Sequence, residues 1–320
     1  MPERVLLRAA TDEDAERLAA FLNACTLTYQ GVARSSPAEA RAQLHKPGTD
    51  PAVDSRVAVS GDEIVGFGQV WEASEEEVRL FARTHPDARG RGIGSALLEF
   101  CETRANELVG DRTRELTMTS WAADDQAPDL LAACGFSPVR YFLQMRIAAE
   151  AILPRAETPP GIDIESITEE SVEDDALYDA WRDAFEGHWG HVDQGAAKFW
   201  QERRDAPREI FPFDASLWFV ALRAGDVVGF SFCEQNVEDP RKLGRVAEIG
   251  VVESQRGQGL GYALLTHSLH ALRERGAREV VLDVDAENVT SALRLYRKAG
   301  MTPHPAFTIW GKPLQPAGQT

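Results

Sequence analysis

The chain has 320 residues, of which 43% are hydrophobic and 27% charged, the composition of a soluble globular protein with enough length for two domains. Its formal net charge of −17 argues against nucleic acid as a partner, because phosphates call for a basic surface. No unbroken apolar stretch reaches the length of a membrane span. The opening segment carries acids and lacks the apolar centre of a secretory signal, so a cytoplasmic location is expected. Cys25, Cys101, Cys134 and Cys233 form no CxxC pair and no metal-ligand spacing, and are expected as buried thiols.

Taken in chain order, Val5–Arg8 has the pattern of a first strand, followed by helical sequence. Two strands follow, Arg56–Ser60 and Glu63–Trp71, joined by Gly61-Asp62, a hairpin signal. Glu77–Thr84 is a further strand that runs into a glycine-rich turn. Behind the turn, Ile93, Leu97 and Phe100 mark one face of a helix. A strand at Glu115–Ser120, a short helix and a last strand complete the half. Pro154, Pro159 and Pro160 then mark a linker over 151–161.

The same order begins again after the linker. Ile162–Ser166 is a strand, and Leu217–Leu222 with Asp226–Glu234 is a hairpin around Ala224-Gly225. Arg245–Val252 runs into a second glycine turn, and Leu265, Leu269 and Leu272 line the next helix. Glu279–Val284, a short helix and a final strand follow. The turns start at Arg89 and Arg256, 167 residues apart; Gly66 and Gly229 are 163 apart, and Gly135 and Gly300 are 165 apart. Three matched places indicate two copies of one domain. The expected boundaries are 1–150 and 162–320, and the expected class is α/β (mixed α+β), a mostly antiparallel sheet flanked by helices.

Both turns have the sequence Arg-Gly-x-Gly-x-Gly. Amides at the start of a helix lack intrahelical partners and sit at the positive end of the dipole, which suits phosphate. Glycine leaves the approach open, and Arg89 and Arg256 would add a flanking cation. A P-loop is excluded, since no Gly-x-x-x-x-Gly-Lys-Ser/Thr run exists. A dinucleotide fingerprint fails because Ser95 and Tyr262 stand where its third glycine belongs. Arg89-x-x-Gly92-x-Gly94 and Arg256-x-x-Gly259-x-Gly261 both satisfy a third pattern, Gln/Arg-x-x-Gly-x-Gly/Ala after a strand.

That pattern resembles the acyl-CoA motif of the GCN5-related N-acetyltransferase family, in its tandem-domain form. The resemblance implies a six- or seven-stranded mixed sheet whose two central strands splay apart, with the pantetheine of acetyl-CoA in the gap. It implies cofactor contacts at Ile249, Gly250 and Val251 on the strand, and at Arg256, Gly257, Gln258, Gly259, Leu260 and Gly261 in the turn. Arg89, Gly90, Arg91, Gly92 and Gly94 are the matching positions of the first half. In DVDAENVTSALRLYRKAGM it places Asn288 on the cofactor and makes Tyr296, four residues before Gly300, the general acid near the sulfur. Tyr296 could otherwise be a packed aromatic beside Leu293 and Leu295, and Asn288 a helix cap.

Amine acetylation requires a neutral amine, a donor for the oxyanion and a proton for the thiolate. Glu248 is the first candidate for the general base; a solvated acid on the strand face is the other reading of it. His188, Trp189 and His191 lie in the segment that would shape the acceptor pocket, where a histidine could serve as an alternative base or as an acceptor contact. Ordinary packing is the other reading of these three. No metal is expected, since His-x-x-His with Asp193 lacks a further ligand. In the first half Leu131 stands in the tyrosine position, no Asn follows the strand, and Pro128 is expected to shorten the helix. The expected activity is therefore acetyl transfer from acetyl-CoA to a primary amine of a small molecule, in the second half. A peptide N-acetyltransferase and a non-catalytic acetyl-CoA sensor are the alternatives.

Overall fold

The computed structural model describes residues 5–31, 33, 35–110, 112–151, 156–167, 174–191, 193, 195–205, 212–235, 242–287 and 292–315. The chain divides into two compact units. The first comprises Met1–Tyr141 with Ala306–Thr320, and the second Phe142–Pro305.

In the first unit the elements are β1 (Leu6–Arg8), α1 (Ala15–Gln30), α2 (Pro37–Leu44), α3 (Pro51–Asp54), β2 (Ser55–Ser60), β3 (Glu63–Glu72), β4 (Glu77–Thr84), α4 (Ile93–Val109), β5 (Arg114–Trp121) and α5 (Ala127–Ala133). The chain continues with β6 (Ser137–Ala148), β7 (Asp163–Ser166), α6 (Asp174–Phe185), α7 (Ala196–Trp200), β8 (Trp218–Arg223), β9 (Asp226–Gln235), β10 (Leu243–Val251), α8 (Leu260–Glu274), β11 (Glu279–Asp285), α9 (Ala292–Lys298) and β12 (Thr302–Leu314). The first sheet runs β1-β2-β3-β4-β5-β12 and the second β7-β8-β9-β10-β11-β6. Among the described residues β4–β5 and β10–β11 pair in parallel and the other pairs described within each sheet are antiparallel, so each sheet is mixed and mostly antiparallel.

The contiguous halves expected from the sequence, 1–150 and 162–320, differ from these units in their last strands. Phe142–Ala148 of β6 pairs with β11 in the second unit. Phe307–Leu314 of β12 pairs with β5 in the first. The physical reason is that β5 and β11 each need an antiparallel neighbour, and backbone ladders are blind to which segment supplies it. An alternating strand pattern encodes a face, not a partner.

Alternation along the strands sorts the core into two faces. Val57 packs with Leu18, Phe21, Leu44 and Phe67, whereas its neighbour Ala58 packs with Val65, Ile93 and Leu97. Helices therefore cover both faces of the first sheet. The second sheet repeats this. Val220 lies with Leu177, Phe199, Phe230 and Phe232, and Ala221 with Val228, Leu260 and Leu264. The hairpin at Ala224-Gly225 has positive φ at both residues, 51° and 92°, as a tight two-residue connection demands. Pro128 occupies the first turn of α5, where its missing N–H costs nothing.

Candidate active site

The second unit opens a gap in its sheet. β10 pairs with β11 only through Leu243–Arg245 and Glu279–Val281. Beyond that point β10 stays paired with β9 as far as Val251, after a register shift between Val246 and Glu248. The extra residue bends the strand, and the backbone of Ile249, Gly250 and Val251 borders the gap on the side away from β9. A Cβ on Gly250 would lie 2.5 Å from Cζ of Phe230 and 2.8 Å from Cβ of Ala184, so the position admits only glycine without local movement.

The glycine turn stands at the end of β10. Gly257 and Gly259 have φ of 77° and 88°, left-handed conformations that favour glycine. Gly259 caps α8 with no side-chain acceptor on the first amides, and Cβ atoms at Gly257 and Gly259 would meet nothing within 4 Å. This leaves an open, uncapped helix start of the kind that binds phosphate. A Cβ on Gly261 would lie 3.2 Å from Leu295 Cδ1. The Leu260 side chain is in the core, so only its backbone faces the turn. Arg256 stands at the start of the turn, held by two backbone carbonyls. Its Nε donates to the Val251 carbonyl at 3.1 Å and its Nη2 to the Ala184 carbonyl at 2.9 Å, so it ties the turn to β10 and to α6. Gln258 accepts from Arg223 at 3.4 Å.

Glu248 is held by three donors. The indole Nε1 of Trp181 donates to Oε2 at 2.5 Å. Arg203 reaches Oε1 through Nε at 3.1 Å and Nη2 at 2.7 Å. The guanidinium of Arg203 lies over Phe199 at 4.1 Å and Trp181 at 4.9 Å, a cation stacked on two rings. The sequence reasoning missed Trp181, Phe199 and Arg203. The one signal for them was the i, i+4 pair Trp181 and Phe185 on an amphipathic helix. Arg203 carried no signal, because its partner lies 45 positions later.

The histidines border the same aromatic cluster. The His191 ring lies 5.1 Å from Trp181, and the His188 ring stands edge-on to Phe185 at 5.1 Å. Burial, reinforced by Arg256 and His191, pushes the His188 pKa below 6.5, against the opposing pull of Asp285. Trp189 is partly exposed. Asp193 accepts from the Tyr178 hydroxyl, and Gly195 donates to that hydroxyl oxygen at 3.0 Å. Tyr296 is buried with Leu265, Leu269 and Leu293, and Leu295 packs against the same cluster. Burial raises its phenol pKa to about 12, which keeps the proton on the oxygen across the physiological range. Asn288 lies outside the described residues. Among the described residues no cluster of three or more His, Cys, Asp or Glu side chains forms a metal site.

The first unit has the same gap with different chemistry around it. β4 pairs with β5 only through Glu77–Arg79 and Glu115–Thr117, and Gly92, with φ of 78°, caps α4 without a side-chain acceptor. A cleft of about 270 Å³ is lined by residues of β4, the turn at Gly90, Gly92 and Gly94, β5 and α5. Arg89 pairs with Asp124 and lies 3.6 Å from Asp125; Arg91 follows in the turn. Leu131 is buried in the core. Strand register aligns the two units. Phe81 opposes Gln69 where Glu248 opposes Phe232, and Arg83 opposes Phe67 where Gly250 opposes Phe230. The carboxylate and the tyrosine of the second unit therefore have no counterparts in the first.

Two family models match the chain. The acetyltransferase (GNAT) family model covers residues 175–301, and the acetyltransferase (GNAT) domain model covers 54–138. A mycothiol acetyltransferase of Thermomonospora curvata is 35% identical over 234 residues, 72% of either chain. This chain belongs to the GCN5-related N-acetyltransferase family. It is an acyltransferase with two tandem GNAT domains. The mycothiol acetyltransferase of Streptomyces coelicolor is 28% identical over 302 residues, covering 93% of this chain and 91% of that one. A GCN5-related N-acetyltransferase from Sphaerobacter thermophilus superposes with a TM-score of 0.76 at 26% identity, over 99% of this chain and 98% of that one. A tandem GNAT protein from the clavulanic acid biosynthesis pathway shares the fold with a TM-score of 0.72 at 18% identity, over 98% and 100% of the two chains.

Proposed function

We propose that the second unit transfers an acetyl group from acetyl-CoA directly to a primary amine of a small molecule. The observation that carries this reading is Glu248, a carboxylate on β10 beside the gap, fixed by Trp181 and Arg203 within an aromatic enclosure. An ammonium is drawn to such a carboxylate, and the ring faces favour a cation. Glu248 accepts the proton of the amine, through water because its oxygens already hold three donors. The uncapped amides at Gly259–Gly261 suit the pyrophosphate, and the backbone bordering the gap at Ile249–Val251 suits the acyl carbonyl as negative charge develops on it. Tyr296 keeps its proton to high pH and donates it to the departing thiolate. The mycothiol acetyltransferase name of the relatives supports a small-molecule acceptor. Asn288 remains a proposed cofactor contact, and His188, Trp189 and His191 proposed acceptor contacts.

The test is release of free CoA from acetyl-CoA against a panel of small primary amines and amino-terminal peptides. Turnover with a small amine that is lost in Glu248→Gln, with acetyl-CoA binding intact, supports the reading. Turnover confined to peptides, or unaffected by Glu248→Gln, overturns it.

A further inference from the structure

We infer that the cleft of the first unit binds a CoA thioester whose acyl chain ends in a carboxylate, and that Arg83 supplies the cation that meets this carboxylate. The inference rests on the reading that a glycine turn of this type receives the phosphates of CoA, and it names the ligand class for the unit that lacks the transfer groups.

Arg83 stands where the second unit has Gly250. In the second unit Phe230 and Ala184 close over that glycine, two residues from a carboxylate on the same strand; the first unit has a guanidinium there. A paired carboxylate in the second unit is thereby replaced by a cation in the first, and an ammonium acceptor is disfavoured there. The guanidinium lies 4.8 Å from the centroid of Phe81 and 4.5 Å from that of Trp121. Its Nη1 donates to the Ala82 carbonyl at 2.8 Å, while its Nε is buried with no hydrogen-bond partner. Among the described residues no carboxylate lies within ion-pair distance of it.

The other titratable groups around Arg83 do not neutralise it. Burial pushes the Cys25 thiol up to about 12 and raises the Tyr29 phenol, so both are uncharged. Asp124 lines the cleft but pairs with Arg89. The Asp124 carboxylate is thus paired with Arg89 and reaches Arg83 only as a longer-range charge. A buried cation without a partner is costly, and an incoming anion offsets that cost. An arginine presents a planar fork that matches a carboxylate. The phosphate end of such a ligand is served by the uncapped start of α4 at Gly92. The cleft of about 270 Å³ has room for a short acyl chain and part of the pantetheine. With Leu131 in place of a proton donor and Phe81 in place of a base, the thioester would be held and not consumed.

The experiment uses the full chain carrying Gly259→Glu, which closes the turn of the second unit. Succinyl-CoA, acetyl-CoA, CoA and free succinate are titrated by calorimetry. The expected result is succinyl-CoA binding at least about tenfold more tightly than acetyl-CoA, equivalent to about 1.4 kcal/mol. Arg83→Gln should remove the difference while leaving acetyl-CoA affinity in place, and Arg83→Lys should keep part of it in a chain that melts as the parent does. Equal affinity for the two thioesters, or a preference that survives Arg83→Gln, overturns the proposal. Binding of free succinate but of no thioester also overturns it, since the carboxylate site would then be independent of CoA. If neither acetyl-CoA nor CoA binds, the reading of the first glycine turn fails, and the proposal fails with it.

Discussion

Arg203 places its Nη2 2.7 Å from Oε1 of Glu248, and the two come from segments 45 residues apart. The pair is partly buried, with side-chain exposures of 16% and 25%, so solvent screens it less than a surface pair. In the proposed mechanism Arg203 acts through Glu248, as a positioning residue. Arg203→Gln should lower kcat about tenfold, roughly the 1.4 kcal/mol of one charge-assisted hydrogen bond, with KM for the amine changed less than about twofold. Arg203→Lys should recover part of kcat. A change confined to KM would make Arg203 an acceptor contact instead, and steady-state kinetics against the best amine separates the two.

Tyr296 makes a prediction with a pH sign. Its folded pKa of about 12 lies above the unfolded value of about 10. The neutral phenol is therefore favoured in the native state. The associated stability is fully present below pH 10 and is lost as pH rises toward 12. Tyr296→Phe should flatten the decline in melting temperature over that window. It should also reduce turnover about 100-fold, as removal of a general acid does, while acetyl-CoA still binds. Unchanged turnover would remove Tyr296 from the chemistry.

Gly250 tests the shape of the gap. Its added Cβ in Gly250→Ala would press on Phe230 and Ala184, and overpacking of this kind costs about 1–3 kcal/mol. Urea unfolding should show that loss. Full stability in Gly250→Ala would mean that the aromatic wall yields readily.

The two glycine turns should differ in their consequences. Gly259→Glu places a non-glycine residue at φ 88° and an anion at the phosphate approach, with a backbone cost of about 1–2 kcal/mol, and should abolish turnover. Gly92→Glu meets the same backbone cost at φ 78° but should leave amine acetylation within about threefold of the parent, a margin of under 1 kcal/mol in barrier. Loss of turnover in a folded Gly92→Glu protein would refute the division of labour between the units.

Asp14 anchors the first unit. Burial alone would raise its carboxyl pKa, but hydrogen bonds from Arg8 and the Thr11 amide, with the charges of Arg8 and Arg17, pull it down to about 2. The stabilisation is present above the ordinary carboxylate value near 3.9 and is lost as pH falls toward 2. Asp14→Asn should cost about 2 kcal/mol at neutral pH, below the full value of a buried pair because Arg8 and Arg17 are part-exposed. Denaturant melts at pH 7 and pH 2 should show the difference shrinking at the lower pH.

The sequence by itself determined what is local and periodic. The duplicated strand–turn–helix pattern, the glycines at the starts of α4 and α8, and the replacement of tyrosine by Leu131 were legible because each depends on residues within a few positions of one another. Glu248 was legible as a candidate because it sits on the strand that leads into the turn. What the tertiary structure decided is what joins distant segments. It gave β6 to the second sheet and β12 to the first, since hydrogen-bond ladders do not record which strand fills an edge. It turned Arg256 onto the carbonyls of Val251 and Ala184, set Arg203 on Glu248, and put Arg83 where its counterpart is glycine. These are pairings of long side chains, whose reach and rotamers are settled only when the packed neighbours are in place.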